Sequence, residues 1–585
     1  MKYQFSAGLC IDGAYFDTDR LLGSDVKAVL TETGGEYLYR RMTLTNIGTV
    51  NSKQITEPHT LNANLPCEKE LLFHTLKGDD NSKESFMPVD KSISIGEKII
   101  LTPSGGRSSS TTAFPFMDFT IDGKVLLLAI GWTGKWKCVI ERNENAVHIT
   151  VGLAYADFFL YPNESVELPS VFLLEGKEGE SADSVRRRCR KILLTDMNPL
   201  EKGKKLPVSI DPFGHFHQDG FFKIQKSEGS LSGLNQIGGI DAYCLDVDLF
   251  SSCFPNELKF LSDATQRPEK ELLIGFEPEK ICAESDVFDL YPEFLLACET
   301  DEKNYLYNLG DEEVYAWIYR LLSEFIRINE IRYFCHNFNI SPLPYWTEND
   351  EENREGICEI KYIMGLYRLW DDLKSEFPDL YIFNCSNGGR RIDLETIKRT
   401  VPIRRSALSC QPSTKAYPTD VRNQNQILSL SEYIPYHSAF VWELKANDIR
   451  SSATEGISFV FPVLDSDFES ADMAIREVKS LQKYWDGDFY ALEKPTLKEN
   501  GFVAYQLAKE DCGYATIFRR EKCTNDWYSL RLQNVDMFAN YRIRITDENY
   551  IQKEQNIRGS ILFKGFDLYF PLPKTSAIVT YQKIN

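Results

Sequence analysis

Short apolar runs that alternate with polar positions fill the first third of the chain. The segments "EYLYRRMTLTNIG", "KIILTPSGG" and "AVHITVGLAYADFFLYPN" each alternate in this way, and Gly, Asn, Asp and Pro separate them. A period of two indicates half-buried β-strands, and the intervening residues are those that favour turns. Residues 1–195 are therefore predicted to form an N-terminal antiparallel β-sandwich.

From about residue 206 the pattern changes to strand-like runs separated by longer helical segments. Between 357 and 377, apolar residues recur at steps of three and four and trace one helical face. Eight strand-like runs with helices between them predict a (β/α)₈ barrel over 206–487, an α/β fold. The runs are "PVSIDPFGHF", "DAYCLDVDLF", "ELLIGFEPEK", "IRYFCHNFN", "LYIFNCSN", "VPIRRSAL", "SAFVWEL" and "ISFVFPV". Alternation returns over 488–585 and predicts a small C-terminal β-domain.

Composition narrows the possible partners. The formal net charge of −20 argues against nucleic acid or an anionic membrane as the main partner. No run of eighteen apolar residues is present, and the N-terminus lacks the apolar core of a signal peptide. The fourteen cysteines show no CxxC spacing, which is typical of reduced thiols in a cytoplasmic protein.

In a (β/α)₈ barrel the functional site lies where the strands end, at the carboxyl face. The polar residues at the predicted strand ends are Asp246, Asp248, Glu277, Glu279, Asn337, Asn339, Ser386, Asn387, Arg390, Arg404, Arg405, Ser406 and Glu443. Tyr345 and Trp346 are expected to add flat aromatic surface. Carboxylates, amides, arginine and aromatic rings together suit a polyhydroxylated ligand. No phosphate-binding or dinucleotide motif is present, so no cofactor is predicted.

Plainer explanations exist for several of these residues. Acids at barrel strand ends often pair with neighbouring arginines for structural reasons, and Trp346 could equally serve as a lid or an oligomer contact. His215 and His217 share one face of a strand, which is a ligand-like spacing. No third ligand accompanies them, so no metal site is predicted.

The segment from "NFNISPLPYWTEND" to "CSNGGRRIDLE" resembles the α-galactosidases of glycoside hydrolase family 36. "YCLDVD", "GFEPEK" and "YWDGDFYAL" support the resemblance, which extends over most of the chain. It implies a sandwich, a barrel and a small β-domain in that order, a carbohydrate ligand such as an α-glycoside, and a homo-oligomer. It also implies retaining hydrolysis by two aspartates, one acting as the nucleophile and the other as the acid/base.

Both aspartates are replaced in this chain. Asn337 stands at the position of the nucleophile, and Ala407 follows Arg405 and Ser406 at the position of the acid/base. Cys335 stands where the family has a basic residue. Loss of a general acid or base alone costs a factor of about 10² to 10⁴ in rate. The substrate-binding positions implied by the resemblance are Asp246, Asp248, Glu277, Cys335, Asn339, Trp346, Asn387 and Arg390.

Three functions follow as hypotheses. The first is a protein that binds an α-glycoside at the barrel mouth without the usual hydrolysis. The second is an active glycosidase with displaced carboxylates, for which Asp248, Asp420 and Glu443 are the candidates. The third is a structural or regulatory subunit that binds no sugar. Strand alternation further predicts that Cys335, Asn337 and Asn339 face the mouth and that His336 and Phe338 face the helices.

Overall fold

The N-terminal part of the molecule is built from two antiparallel sheets. The computed structural model describes residues 5–17, 25–211, 238–246, 270–407, 419–460 and 468–584. One sheet has the strand order β2-β1-β5-β12-β11-β8, and the other has the order β14-β4-β15-β10-β9-β6-β7, with β3 pairing with β4. The strands are β1 Phe5–Ile11, β2 Ala14–Asp17, β3 Val26–Thr33, β4 Leu38–Asn46, β5 Ile55–Pro66, β6 Leu71–Leu76, β7 Pro88–Ser92, β8 Lys98–Leu101, β9 Phe116–Ile121, β10 Lys124–Gly131, β11 Trp136–Arg142, β12 Ala146–Leu153, β13 Asp157–Phe158, β14 Ser165–Glu167 and β15 Ser170–Glu175.

Alternation explains the sandwich core. In β4 and β11, every second residue is buried, while the residues between them are partly exposed. Apolar side chains such as Leu44, Ile140 and Val171 meet in one buried cluster between the sheets. The predicted sandwich is therefore confirmed.

The middle of the chain forms a parallel sheet that curls into a barrel. Its order is β26-β25-β24-β22-β18-β17-β16-β28-β27, and each pairing is parallel. The two ends of this order are successive pieces of the segment 437–441, so the sheet returns to its starting strand. These strands coincide with the eight predicted runs, and the (β/α)₈ barrel is confirmed. The elements of this region are β16 Ser209–Asp211, β17 Ala242–Asp246, β18 Glu271–Phe276, β19 Lys280–Cys282, β20 Leu295–Leu296, β21 Asn304–Tyr307, β22 Tyr333–Asn337, β23 Arg354–Glu355, β24 Tyr381–Cys385, β25 Ile403–Arg404, β26 His437–Ser438, β27 Phe440–Val441 and β28 Ser458–Val460.

Helices surround the barrel and connect it to the other domains. They are α1 Ala182–Asp196, α2 Asp286–Leu290, α3 Glu312–Ile328, α4 Leu343–Thr347, α5 Ile357–Glu376, α6 Leu394–Arg399, α7 Thr419–Leu430, α8 Ala446–Ser452 and α9 Phe468–Leu481; a tenth, α10 Gly559–Lys564, lies in the C-terminal part of the chain. The α3 helix is capped by Asp311, whose side chain accepts hydrogen bonds from the backbone amides of Glu313 and Val314. The apolar stripe predicted for α5 is buried, and Gly365 lets this helix approach the carbonyl oxygen of Leu309, since a Cβ there would lie 2.0 Å from it.

The C-terminal part is a six-stranded sheet with the order β29-β30-β31-β36-β33-β34, beside a pair formed by β32 and β35. Its strands are β29 Asp488–Ala491, β30 Phe502–Ala508, β31 Cys512–Arg519, β32 Trp527–Leu530, β33 Asn540–Thr546, β34 Gln552–Arg558, β35 Phe566–Tyr569 and β36 Thr575–Ile584. This sheet confirms the predicted C-terminal β-domain. The cysteines among the described residues are free thiols. Within the same residues, no helix is both long and apolar enough to cross a bilayer.

Candidate functional site

The inner face of β22 carries the residues predicted to face the barrel mouth. Cys335 lies in one buried cluster with Leu273 of β18 and Phe383 of β24, which places it inside the barrel. Its Sγ donates to Asn337 Oδ1 at 3.5 Å, so the two side chains share a face. The position that the resemblance assigns to a nucleophile thus carries a neutral amide beside a thiol.

The outer face of β22 confirms the predicted strand register. Trp370 of α5 donates its indole N–H to His336 Nδ1 at 2.9 Å. The proton of His336 therefore resides on Nε2, which lies 2.6 Å from Glu279 Oε1. Phe338 is fully buried beneath the guanidinium of Arg391, whose central carbon is 3.9 Å from the ring centroid.

Glu279 belongs to this outer network. Arg391 donates to both of its oxygens at 2.7 and 3.1 Å, and the Tyr362 hydroxyl donates at 2.7 Å. Burial by itself raises the pKa of Glu279, but Arg391 and His336 outweigh burial and hold it at about 2. A carboxylate with all these partners and no exposed surface supports the barrel wall and does not meet a ligand.

Glu277, two residues earlier, has a different role. Its Oε1 accepts from the backbone N–H of Asn339 at 2.6 Å, and its Oε2 pairs with Lys280. Glu277 therefore holds the backbone that follows β22, the segment that positions both Asn337 and Asn339. It remains partly exposed and can still offer oxygen lone pairs to a ligand.

A loop of the sandwich reaches the strand ends of the barrel. Asn387 and Gly388 have φ values of 47° and 94°, and a Cβ on Gly388 would lie 2.5 Å from Asp79 Oδ2. The Gly389 N–H donates to the same oxygen at 2.9 Å, and Asn81 Nδ2 donates to Asn387 Oδ1 at 3.2 Å. Asn81 stands 306 residues before Asn387 in the chain, so sequence reasoning had no signal for this contact.

Two arginines with unused donors lie beside this loop. Arg107 is only 4% exposed and donates from Nη2 to Ser341 Oγ at 3.1 Å. Within the described parts of the chain, its Nε and Nη1 are buried without a hydrogen-bond partner, as is Nε of Arg390. Burial, together with the nearby Arg390 and Arg391, lowers the pKa of Arg107 to about 9.

The end of β25 lies next to the same loop. Arg404 is buried inside the barrel, donating to Ser458 Oγ at 2.7 Å with its guanidinium carbon 4.1 Å from the Phe440 ring centroid. Arg405 lies on the opposite side, with Nη1 3.2 Å from His437 Nδ1. Ala407 follows as a half-buried residue, and its backbone nitrogen is 2.6 Å from where a Cβ on Gly388 would be.

Tyr345 and Trp346 do not add exposed aromatic surface, and that expectation was wrong. Both are 2% exposed. The Trp346 ring packs 5.3 Å from Tyr362, and a Cβ on Gly106 would lie 2.7 Å from it. The Tyr345 hydroxyl donates to Asp301 at 2.9 Å. Tertiary packing of the sandwich on the barrel buries α4, which a local apolar pattern could not reveal.

A group of carboxylates lies at the end of β27. Glu443 and Asp448 line a small cavity of about 20 Å³ together with Asn423, enough for about one water molecule. Burial, and then the neighbouring Asp420 and Glu443, raise the pKa of Asp448 to about 6. The Oδ1 atoms of Asp420 and Asn423 are buried with no hydrogen-bond partner in the described residues. Sequence reasoning named Asp420 and Glu443 but missed Asp448, five residues beyond Glu443 on α8.

The remaining candidates concern the second strand and the histidines. Asp246 ends β17, but its side chain lies outside the described part of the structure, as do Asp248, His215 and His217 entirely. Among the described residues, no group of three or more His, Cys, Asp or Glu is arranged to hold a metal ion.

Comparison with known proteins agrees with this architecture. Residues 244–406, which run from β17 to the end of β25, match the melibiase family model. An α-galactosidase of Lactobacillus acidophilus is 23% identical over 343 residues, or 51% of this chain and 44% of that relative. An α-galactosidase of Hypocrea jecorina is 26% identical over 322 residues, or 50% of this chain and 41% of that protein. The matched part thus spans less than half the length of either relative.

Solved structures extend the likeness to the whole fold. The α-galactosidase of Lactobacillus brevis superposes with a TM-score of 0.80 at 14% identity, covering 100% of this chain and 85% of that one. A family 36 α-galactosidase of Geobacillus stearothermophilus in complex with raffinose gives a TM-score of 0.80 at 15% identity, covering 100% and 87%. The barrel sequence is thus similar to the melibiase family model and to α-galactosidases, and the complete fold is that of the glycoside hydrolase family 36 α-galactosidases.

Proposed function

We propose that this protein binds an α-glycoside at the barrel mouth and lacks the two-aspartate hydrolysis of the enzymes it resembles. One observation carries the proposal: Asn337 presents an amide at the end of β22, and Glu277 holds the Asn339 backbone that follows it. An amide is neutral, so it is a poor nucleophile and cannot stabilise a developing oxocarbenium ion as a carboxylate does.

The ligand class follows from the donors and acceptors at the mouth. Asn337, Asn387 and Glu277 offer oxygen acceptors or amide groups, and the half-buried Arg390 adds a guanidinium beside Asn387. Each sugar hydroxyl is both a donor and an acceptor, so a mixed set of this kind recognises a polyhydroxylated ring. The neighbour crystallised with raffinose supports a carbohydrate of the α-galactoside type.

Restoring both carboxylates tests the proposal. The double variant Asn337→Asp with Ala407→Asp should gain weak hydrolysis of an aryl α-galactoside, because retaining chemistry needs two carboxyl groups about 5–5.5 Å apart. Each single variant should gain little, since the two groups act as a unit. The matched control is Asn337→Asp with Ala407→Asn, which fills the same space without an acid.

Calorimetry with galactose, melibiose and raffinose supplies the binding measurement. Binding by the natural chain without turnover supports the proposal. No binding to any sugar of the panel would contradict it and favour a structural or regulatory subunit.

A second candidate function is hydrolysis by displaced carboxylates. It is favoured by the grouping of Asp420, Glu443 and Asp448 near the end of β27, where the raised pKa lets Asp448 stay protonated, as a general acid must be, up to about pH 6. In this case the natural chain turns over an aryl α-glycoside. Asp448→Asn should then lower the rate by a factor of about 10² to 10⁴, whereas Asn337→Ala leaves it unchanged. The rate should also fall as the pH rises through about 6, where Asp448 loses its proton.

A further inference from the structure

A cleft of about 900 Å³ separates α1 from the C-terminal sheet domain. One wall is the first part of α1, around Asp183 and Arg187. The other wall comes from β29, β30 and β32, around Tyr490 and Trp527. None of the strand-end residues of the barrel described above lines this cleft, so it is separate from the candidate site.

The α1 wall is held in place by a buried ionic network. Arg186 donates to Asp118 at 2.7 Å, to Asp183 at 3.1 Å and to Glu432 at 2.9 Å, while being almost completely buried. Three carboxylates around one guanidinium fix its orientation and that of the helix turn that carries it. The cleft is therefore a preformed feature, as binding sites usually are.

Arg187, the next residue, is placed differently. Its guanidinium carbon lies 4.6 Å from the centroid of the Tyr490 ring. Within the described residues no carboxylate oxygen lies within 4.0 Å of its nitrogens. Stacking on tyrosine holds the guanidinium plane while leaving its N–H groups available to oxygen acceptors in the cleft.

The opposite wall offers aromatic surface. The Trp527 side chain is 55% exposed, and its ring lies 4.9 Å from Tyr569 across the β32–β35 pair. Next to it, the Tyr528 hydroxyl donates to Glu493 at 3.2 Å, and the Tyr528 ring packs 5.3 Å from Phe502. An indole left this exposed offers a flat apolar face with a polar N–H edge, which matches the apolar C–H face and hydroxyl rim of a pyranose ring.

We propose that this cleft is a second, non-catalytic binding site for a neutral oligosaccharide or polysaccharide chain. Its volume is near the upper end of the range of about 300–1,000 Å³ for small-molecule sites, which gives room for several linked sugar rings. Three carboxylates (Asp183, Glu432 and Glu493) and three guanidiniums (Arg186, Arg187 and Arg531) line it, so its charges balance and favour a neutral ligand over a polyanionic one. The site would hold a polymeric ligand near the barrel independently of what the mouth binds.

Affinity electrophoresis in soluble galactomannan, with excess melibiose present to occupy the barrel mouth, tests this site on the full chain. Trp527→Ala should weaken binding at least about tenfold, as removal of a central aromatic contact does. Arg187→Met keeps the side-chain stem against Tyr490 but removes the donors, and should weaken binding about threefold or more. Phe538→Ala is the matched control, because Phe538 is an exposed aromatic residue of the same domain, 82% exposed, that does not line the cleft.

Calorimetry with melibiose on the same variants reports on the mouth alone and should be unchanged. If melibiose fails to bind while galactomannan binding depends on Trp527, the proposed mouth function fails and the second site stands. Galactomannan binding that survives both Trp527→Ala and Arg187→Met, or that is absent in the natural chain, would overturn the proposal. Preference for heparin over galactomannan would overturn the assignment to a neutral ligand.

Discussion

The inner and outer faces of the same two strand ends, β18 and β22, differ sharply in how their polar groups are used. On the outer face, Glu279, His336 and Arg391 form a closed network with no exposed surface on Glu279. On the inner face, Cys335 and Asn337 share one long hydrogen bond beside the partly exposed Glu277. The outer face thus has the charges and the strong hydrogen bonds, and the inner face has mainly neutral groups.

The two faces therefore differ in whether the structure requires a carboxylate. The outer network needs a carboxylate at 279, because without it Arg391 would be buried and unpaired. The inner face has no such requirement, and an amide at 337 leaves no buried charge behind. Under the proposed function, such a barrel lacks the carboxylates that react with a substrate and retains those that hold its wall.

The largest expected loss of stability comes from substitution of Glu279. Glu279→Gln should lower the free energy of unfolding by about 3–5 kcal/mol, because it leaves a buried guanidinium unpaired. In the natural chain the stabilisation by Glu279 is complete above its ordinary pKa and is lost as the pH falls toward about 2. Urea denaturation at pH 7 measures the first effect and acid titration the second; a change below about 1 kcal/mol at pH 7 would contradict the supporting role.

A buried glutamate without an arginine should behave in the opposite way. Glu455 is 1% exposed, accepts from Gln482 at 3.1 Å and has its nearest cation, Lys205, at 3.9 Å. Burial raises its pKa to about 8, so the folded state holds a proton that the unfolded state loses above about 4.5. Its contribution to stability therefore falls as the pH rises from about 4.5 to 8.

Glu455→Gln should remove this dependence and stabilise the protein above pH 8 by an amount of the order of a few kcal/mol, since each pKa unit corresponds to about 1.4 kcal/mol. Thermal unfolding measured from pH 5 to pH 9 tests it, with Glu144→Gln at an exposed turn as the control. Parallel pH curves for the natural chain and Glu455→Gln would show that Glu455 is ionised throughout.

A smaller change in free energy, this time of ligand binding, is expected for a substitution on the inner face. Asn337→Ala should weaken melibiose binding about tenfold, the cost of about 1.4 kcal/mol for hydrogen bonds lost to a ligand. Calorimetry measures the affinity, and Asn145→Ala in an exposed turn serves as the control. Unchanged affinity would place the sugar elsewhere in the barrel mouth, toward Glu443 and Asp448.

The smallest effect is expected at Glu277. Glu277→Gln should change the free energy of unfolding by less than about 1 kcal/mol, because its ion pair with Lys280 is partly exposed to solvent. The amide oxygen of glutamine can still accept from the Asn339 N–H. Urea denaturation gives the loss in free energy of unfolding for Glu277→Gln and for Glu279→Gln, and the ratio of the two losses measures the difference between the inner and outer faces. Equal losses would show that the two faces do not differ.

Local patterns accounted for the fold and for the direction of individual side chains. Alternation assigned Cys335 to the inside and His336 to the outside, and the contacts of both with neighbouring strands and helices agree. This succeeded because strand geometry sends successive side chains to opposite faces whatever the surroundings. The resemblance also assigned Asn337 and Ala407 to the positions of the two catalytic aspartates, and that assignment stays a prediction.

What the sequence alone determined is therefore the order of elements, the face each strand residue occupies, and the chemical groups at positions 337 and 407. Only the tertiary structure decided that Glu279 is sealed in a network while Glu277 is not, because Arg391 reaches Glu279 from 112 residues along the chain, whereas Lys280 is a local partner three residues from Glu277. It also decided that Trp346 is covered by the sandwich and that Asp448 gathers with Asp420 and Glu443. Burial and charge pairing depend on chain segments far apart in sequence, and no local pattern records which distant segment will cover a side chain.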